Sequence, residues 1–276
     1  EPYIFNQPVS FGLSVFNTTR LKNNTDFDEK RLGFSLNFAK AFTEFARSGI
    51  GYTLERVKLD DISEDAHPDV TKFAGNTTLS RARWFISRDS RDSVINPAKG
   101  SVASLQTELV GSVLGGDEDY YILASSYSKY FTFVKNHTVE FRIRLSTADA
   151  FSGSDNVPVF DRFYAGGLGT VRGFNVRRVG PKGGGDAIGG NTLTIVNLEY
   201  TWPIIENFKG AVFLDVGQVD PDSYHVEFGD FAMSTGPGVK IKTPIGPIAL
   251  YYGFPFANRD TEDKNGRFEF SFSRGF

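Results

Sequence analysis

The stretch HTVEFRIRLS alternates without a break: Val139, Phe141, Ile143 and Leu145 fall on one parity, Thr138, Glu140, Arg142 and Arg144 on the other. Successive side chains of a strand point to opposite faces, so this segment is extended, with one apolar and one charged face. As a helix, the same residues would scatter both sets around the axis. GFSLNFAKAF repeats the pattern with Phe34, Leu36 and Phe38 against Ser35, Asn37 and Ala39. RFEFSFSRGF does so with Phe268, Phe270, Phe272 and Phe276 against Glu269, Ser271 and Ser273. A chain made of such segments needs something dry against one face and something wet against the other.

Twelve segments of this kind begin near Val9, Phe34, Ile50, Thr77, Val102, Tyr121, Thr138, Thr192, Gly210, Thr235, Ile248 and Arg267. Each is roughly ten residues long, enough for a tilted strand to cross a bilayer. Their connections alternate in length. NTTRLKNNTDFDEKR is long, TEFARSG short, KLDDISEDAHPDVTKFAG long, and so on to the short TPIG; SRDSRDSVINPAKG is the exception on the short side. Long loops on one rim and short turns on the other are the asymmetry of an outer-membrane barrel, with both termini on the short-turn, periplasmic side. A soluble antiparallel sandwich also alternates. The charges Arg81, Arg83, Lys240 and Lys242 on the polar faces fit a wet lumen better, and aromatic residues crowd the strand ends as interfacial girdles do. The expected fold is all-β: a transmembrane antiparallel up-and-down β-barrel of about twelve strands, occupying residues 1–276.

Composition removes several function classes. No run of eighteen apolar residues supplies a transmembrane helix. The absence of cysteine excludes disulfide scaffolds and thiolate metal sites, and a net charge of −3 leaves no basic excess for nucleic acid. His67, His137 and His225 lie far apart without ligand spacing, so no metal site is expected. No Ser and His fall together at a girdle as a barrel phospholipase would require, and KGGGDAIGG lacks the Lys-Ser/Thr of a phosphate loop. Neither a catalytic residue nor a cofactor is expected.

GGLGTVRGF, then GPKGGGDAIGGN, TLTIVNLEYTWPI, AVFLDVGQV, GPGVKIKTPIGPIALYYGFPF and FEFSFSRGF resemble, in this order, the C-terminal barrel of BamA-type outer-membrane assembly factors. The wider superfamily includes secretion transporters and the mitochondrial and chloroplast assembly pores. RDSRDSVINPAKG resembles the family's periplasmic turn. The resemblance implies a sixteen-stranded barrel preceded by POTRA domains, so the chain reads as a fragment that lacks those domains and about four leading strands. It implies that the long extracellular loop, residues 148–190, folds into the lumen and presents Val171, Arg172, Gly173 and Phe174. Arg172 would pair there with the loop-anchoring acids Glu199 and Asp215. Strand parity supports this independently: Glu199 is out of phase with Leu198 and Tyr200, and Asp215 with Leu214 and Val216, so both carboxylates point inward. Arg177, Arg178 and Lys182 read as a solvated electropositive loop. Phe268, Phe270, Phe272 and Phe276 resemble a C-terminal assembly signal.

The implied function is energy-independent folding and insertion of outer-membrane barrels, without an enzymatic step, and impaired in a truncated chain. The implied partners are outer-membrane lipids, nascent outer-membrane proteins and, in the full-length protein, periplasmic accessory lipoproteins. The alternative is a passive pore or a polypeptide-secretion transporter of the same superfamily.

Overall fold

In a computed structural model of the chain, described over residues 9–21, 27–183, 186–243, 246–258 and 264–272, the alternating segments form one sheet. Its strands are β1 (Val9–Arg20), β2 (Asp28–Ala41), β3 (Ala46–Asp60), β4 (Gly75–Asp89), β5 (Gly100–Val110), β6 (Tyr120–Val134) and β7 (His137–Ala150). After a two-residue hairpin of β8 (Lys182–Gly183) and β9 (Asp186–Ala187) come β10 (Thr192–Ile205), β11 (Phe208–Asp220), β12 (Ala232–Thr243), β13 (Gly246–Ala257) and β14 (Arg267–Phe272). Each of the twelve sheet strands pairs antiparallel with its neighbour along the chain, β7 pairing directly with β10. Among the described residues no ladder joins β1 to β14.

All twelve expected strands are present, and most are longer than the roughly ten residues that a bilayer demands. β2 starts at Asp28 rather than near Phe34, because Glu29 and Lys30 continue the ladder opposite Thr19 and Arg20. Charged residues beyond the apolar zone still satisfy their backbone groups by pairing. The connection between β4 and β5, residues 90–99, is long where its neighbours on that rim are tight turns. Among the described residues helix is confined to α1 (Pro68–Thr71) and one 3₁₀ turn, and none of it is long and apolar enough to cross a membrane.

The outer face carries the apolar parity. Leu198, Val212, Leu214, Leu250, Phe254, Phe268, Phe270 and Phe272 are exposed, whereas Glu199, Asp215 and Glu269 on the opposite parity are buried. A sheet with its apolar side outward is inside-out for water and correct for lipid. Curled with its polar side chains inward, it also needs something to fill its centre. That filler is the segment between β7 and β10, which touches β2, β4 and β6 at one place and β10, β11 and β14 at another. A flat sheet cannot reach both, so the sheet is curled around this loop.

Among the described residues three apolar clusters lie inside, two of them built on the long loop. One joins Val57, Leu59, Leu79, Val110 and Tyr120 of the strands to Val70 and Phe73 near α1 and to Val157, Val159 and Phe160 of the long loop. It forms a cap over the long-loop end. The other joins Val171 and Phe174 of the loop to Leu193, Ile195 and Val219 of the wall.

Candidate functional site in the barrel lumen

The residues around Arg172 are held by a tight turn. Gly167 N–H donates to Val171 O at 3.0 Å and Gly166 N–H to the Thr170 hydroxyl at 2.9 Å, which projects the loop tip toward the wall. Val171 is fully buried and Phe174 nearly so, both in the wall-side apolar cluster. Burial of each such side chain is worth about 1.5–3 kcal/mol relative to water. They bracket Arg172 with apolar contacts that fix its backbone.

Arg172 reaches both acids that parity placed on the inner face. Its Nε and Nη2 donate to Asp215 Oδ2 and Oδ1 at 2.7 and 2.8 Å, a bidentate fork, and Nη1 donates to Glu199 Oε2 at 2.5 Å. Its backbone N–H also donates to Asp215, at 3.0 Å. The planar guanidinium lies 3.7 Å from the Phe213 ring centroid and 4.7 Å from that of Tyr251. A lysine has neither the fork nor the plane for this place. Burial works against the charge, but hydrogen bonds and charge from Asp215 and Glu199 outweigh it and raise Arg172 above its ordinary value.

Register explains why the acids are tolerable. Glu199 of β10 sits directly opposite Glu140 of β7, a like-charge pair that destabilises a ladder unless cations intervene. Here Lys240 lies against the second oxygen of Glu199 and Arg142 against Glu140. Asp215 is opposite Asn197, whose amide donates to it at 2.9 Å and to Thr170 O of the loop at 2.7 Å.

The next residue, Gly173, has φ +87°, where L side chains are strained. A Cβ here would stand 2.7 Å from the carbonyl carbon of Gly253 in β13, and one on Gly253 would stand 2.5 Å from Gly173 N. The loop backbone thus lies directly on the strand backbone. Gly173 N–H donates to Glu269 of β14 at 2.6 Å, so the tip reaches the last described strand. Sequence reasoning put Glu269 on the inward parity without assigning it a partner. Likewise it placed Lys240 in the lumen but did not link it to Glu199. Gly253 carried no signal in the sequence beyond being a glycine within a strand.

One expectation changes, and one acidic cluster is added. Arg177 is no simple solvated charge: its guanidinium lies 4.6 Å over the Tyr164 ring, and burial pushes the Tyr164 phenol up to about 12. His225 is not isolated from acids, since its ligand atoms and those of Asp220 and Asp222 lie within 4.8 Å of one another. His225 Nδ1 is 2.9 Å from Asp220, a hydrogen bond that raises the imidazole above its ordinary value. The three follow each other across one turn, and a turn generates such proximity without any ion. Phe268, Phe270 and Phe272 point outward at 72, 63 and 47% exposure, while Phe276 lies outside the described residues.

Below the loop, toward the short-turn rim, a cavity of about 990 Å³ is bounded by Tyr130, Arg142, Arg172, Glu199, Lys209 and Lys240 among others. At the other end the apolar cap closes over the loop. An inside-out sheet curled around an ion-paired inner loop defines a transmembrane β-barrel whose lumen is occupied by its own chain. The model of the Omp85 superfamily domain matches residues 1–276, and the chain belongs to that superfamily. It is 33% identical over 282 residues to the outer membrane protein assembly factor BamA of Nitratidesulfovibrio vulgaris, covering all of this chain and 35% of that protein. With BamA of Neisseria meningitidis it shares 23% identity over 326 residues, covering all of this chain and 40% of that one. The chain therefore spans well under half the length of these two relatives. Its fold is similar to the crystal structure of BamA from Haemophilus ducreyi lacking POTRA domains 1–3, with a TM-score of 0.82 at 21% identity, over 98% of this chain and 59% of that one.

Proposed function

We infer that this chain is the barrel portion of an outer-membrane protein assembly factor, which folds and inserts other β-barrels without nucleotide, cofactor or covalent chemistry. The observation that carries the reading is the whole-chain match to relatives named as assembly factors. The lumen adds to it: a passage filled by an ion-paired loop and closed by an apolar cap is poorly built for passive solute flow. In this reading Arg172, Glu199 and Asp215 anchor the loop, with Val171, Gly173 and Phe174 fitting its tip to the wall. The anchored loop gives the barrel a fixed shape against which a client strand is folded. Phe268, Phe270 and Phe272 serve as the lipid-facing strand by which the barrel itself is recognised during assembly. Both termini face the periplasm, where nascent outer-membrane proteins and, for the full-length protein, accessory lipoproteins approach.

The test is the folding rate of a urea-unfolded outer-membrane protein into lipid vesicles, followed by heat-modifiable gel mobility. Vesicles carrying the full-length protein with this barrel should accelerate folding, and Arg172→Ala should remove most of the acceleration. A steady open conductance in a planar bilayer, equal in parent and variant and with no acceleration, would establish the pore reading instead.

A further inference from the structure

The long loop withdraws a second charge from water. Asp161, in the first limb of the loop, has a side chain only 8% exposed and meets the opposite arc of the barrel. Its Oδ1 accepts from Arg31 Nη2 of β2 at 3.1 Å, and its Oδ2 accepts from Arg81 Nη2 of β4 at 2.5 Å and from the Tyr120 hydroxyl of β6. Those guanidiniums are oriented by wall acids. Arg31 Nε and Nη1 go to Glu29 and Glu55 at 2.6 and 3.2 Å, and Arg81 Nε goes to Glu55 at 2.7 Å, with Glu108 at 3.6 Å from Nη1. What remains is one Nη2 on each arginine, and both converge on Asp161. Burial alone would raise this carboxyl, but the two guanidiniums and the phenol hold it down at about 2.

The geometry mirrors the Arg172 site with the charges exchanged. At one end the loop supplies the cation and the wall the acids; at the other the loop supplies the acid and the wall the cations. We propose that Asp161 is a second latch of the loop, a positioning residue that holds the first limb against β2, β4 and β6 independently of Arg172, so that the loop braces two arcs of the barrel. Its bearing on client folding rests on the assembly-factor reading above; its structural content does not.

The chain has no cysteine, so single reporters are clean. Val159→Cys marks the first limb and Val171→Cys the tip; both positions have no exposed surface. Maleimide labelling of each is measured in vesicle-embedded chain, with heat-modifiable mobility confirming a folded barrel. Asp161→Asn, which removes the charge at constant shape, should raise labelling of the Val159→Cys reporter at least tenfold and leave the Val171→Cys reporter within twofold. Arg172→Met should do the reverse. Tyr120→Phe removes one hydrogen bond to Asp161 and should give a smaller rise, about threefold, at the first limb only; it decides the matter if Asp161→Asn does not fold. An unchanged first-limb rate overturns the proposal, because the apolar cap and the Arg162–Asp69 pair would then hold the limb unaided. So does simultaneous opening of both reporters in either variant, which would mean a single latch. Client-folding rates are read in parallel: a tenfold labelling change with no loss of folding leaves the latch standing and removes the loop from the assembly mechanism.

Discussion

The two ends of the inner loop are held by the same kind of bond and differ in what backs it. Around Arg172 the acids have few other partners. Asp215 is fully buried, and among the described residues its hydrogen bonds come from Arg172 and Asn197. Around Asp161 the arginines keep Glu29, Glu55 and Glu108 even when the loop is gone, and an apolar cap packs over the limb. An ion pair is costly to break chiefly through the charge left behind. The Arg172 end should therefore be the brittle one.

Arg172→Ala is expected to have the largest effect, since it leaves the fully buried Asp215 without its cation, while Glu199 keeps only Lys240 among the described residues. We expect destabilisation on the order of 3–5 kcal/mol, measured as a shift in the urea midpoint of the barrel in vesicles, together with larger and less steady single-channel conductance. A loss below about 1 kcal/mol would break the comparison. Asp161→Asn should cost less, roughly 1–3 kcal/mol, because it leaves unsatisfied N–H groups rather than an uncompensated charge.

Acid tests the Asp161 end directly. The Asp161 carboxyl titrates near 2 in the folded chain against 3.8 ordinarily, so its folded-state pKa is depressed. Its contribution, roughly 2 kcal/mol, is complete above about pH 4 and is lost as pH falls through about 2. Pepsin, which is active across that range, should begin to cut the first limb between these values in the parent. In Asp161→Asn the limb should be equally sensitive at pH 4 and pH 2. The groups facing this carboxyl are Arg31, Arg81 and Tyr120, with Glu29, Glu55 and Glu108 behind the guanidiniums. The smallest effect is expected from Phe213→Leu, which removes an aromatic face from beneath Arg172 and retains the fork. A loss of about 1 kcal/mol is expected, visible as a modest urea-midpoint shift with the conductance unchanged.

The difference between the two latches is also a difference in legibility. Glu199 and Asp215 lie in strands, where a period of two assigns each residue a face and makes a charge among Leu198, Tyr200, Leu214 and Val216 stand out. Arg172 drew attention through its neighbours and their resemblance to a family. Asp161 had no such help. It lies in an irregular segment with no periodicity, and its partners Arg31 and Arg81 are 130 and 80 residues away in the chain. Arg81 was legible as an inward charge, but the sequence contains no rule that pairs it with a particular loop residue. The same holds for Gly173 and Gly253, whose backbone contact requires two segments to meet at one height in the barrel.

Sequence alone determined the strands, their inward and outward faces and the alternation of long and short connections, because side-chain period and turn chemistry act between near neighbours. Tertiary structure decided where the loop lies, which wall charges it uses and how the cap closes over it. Those outcomes depend on the curl of the whole sheet, which brings opposite arcs within reach of a single loop.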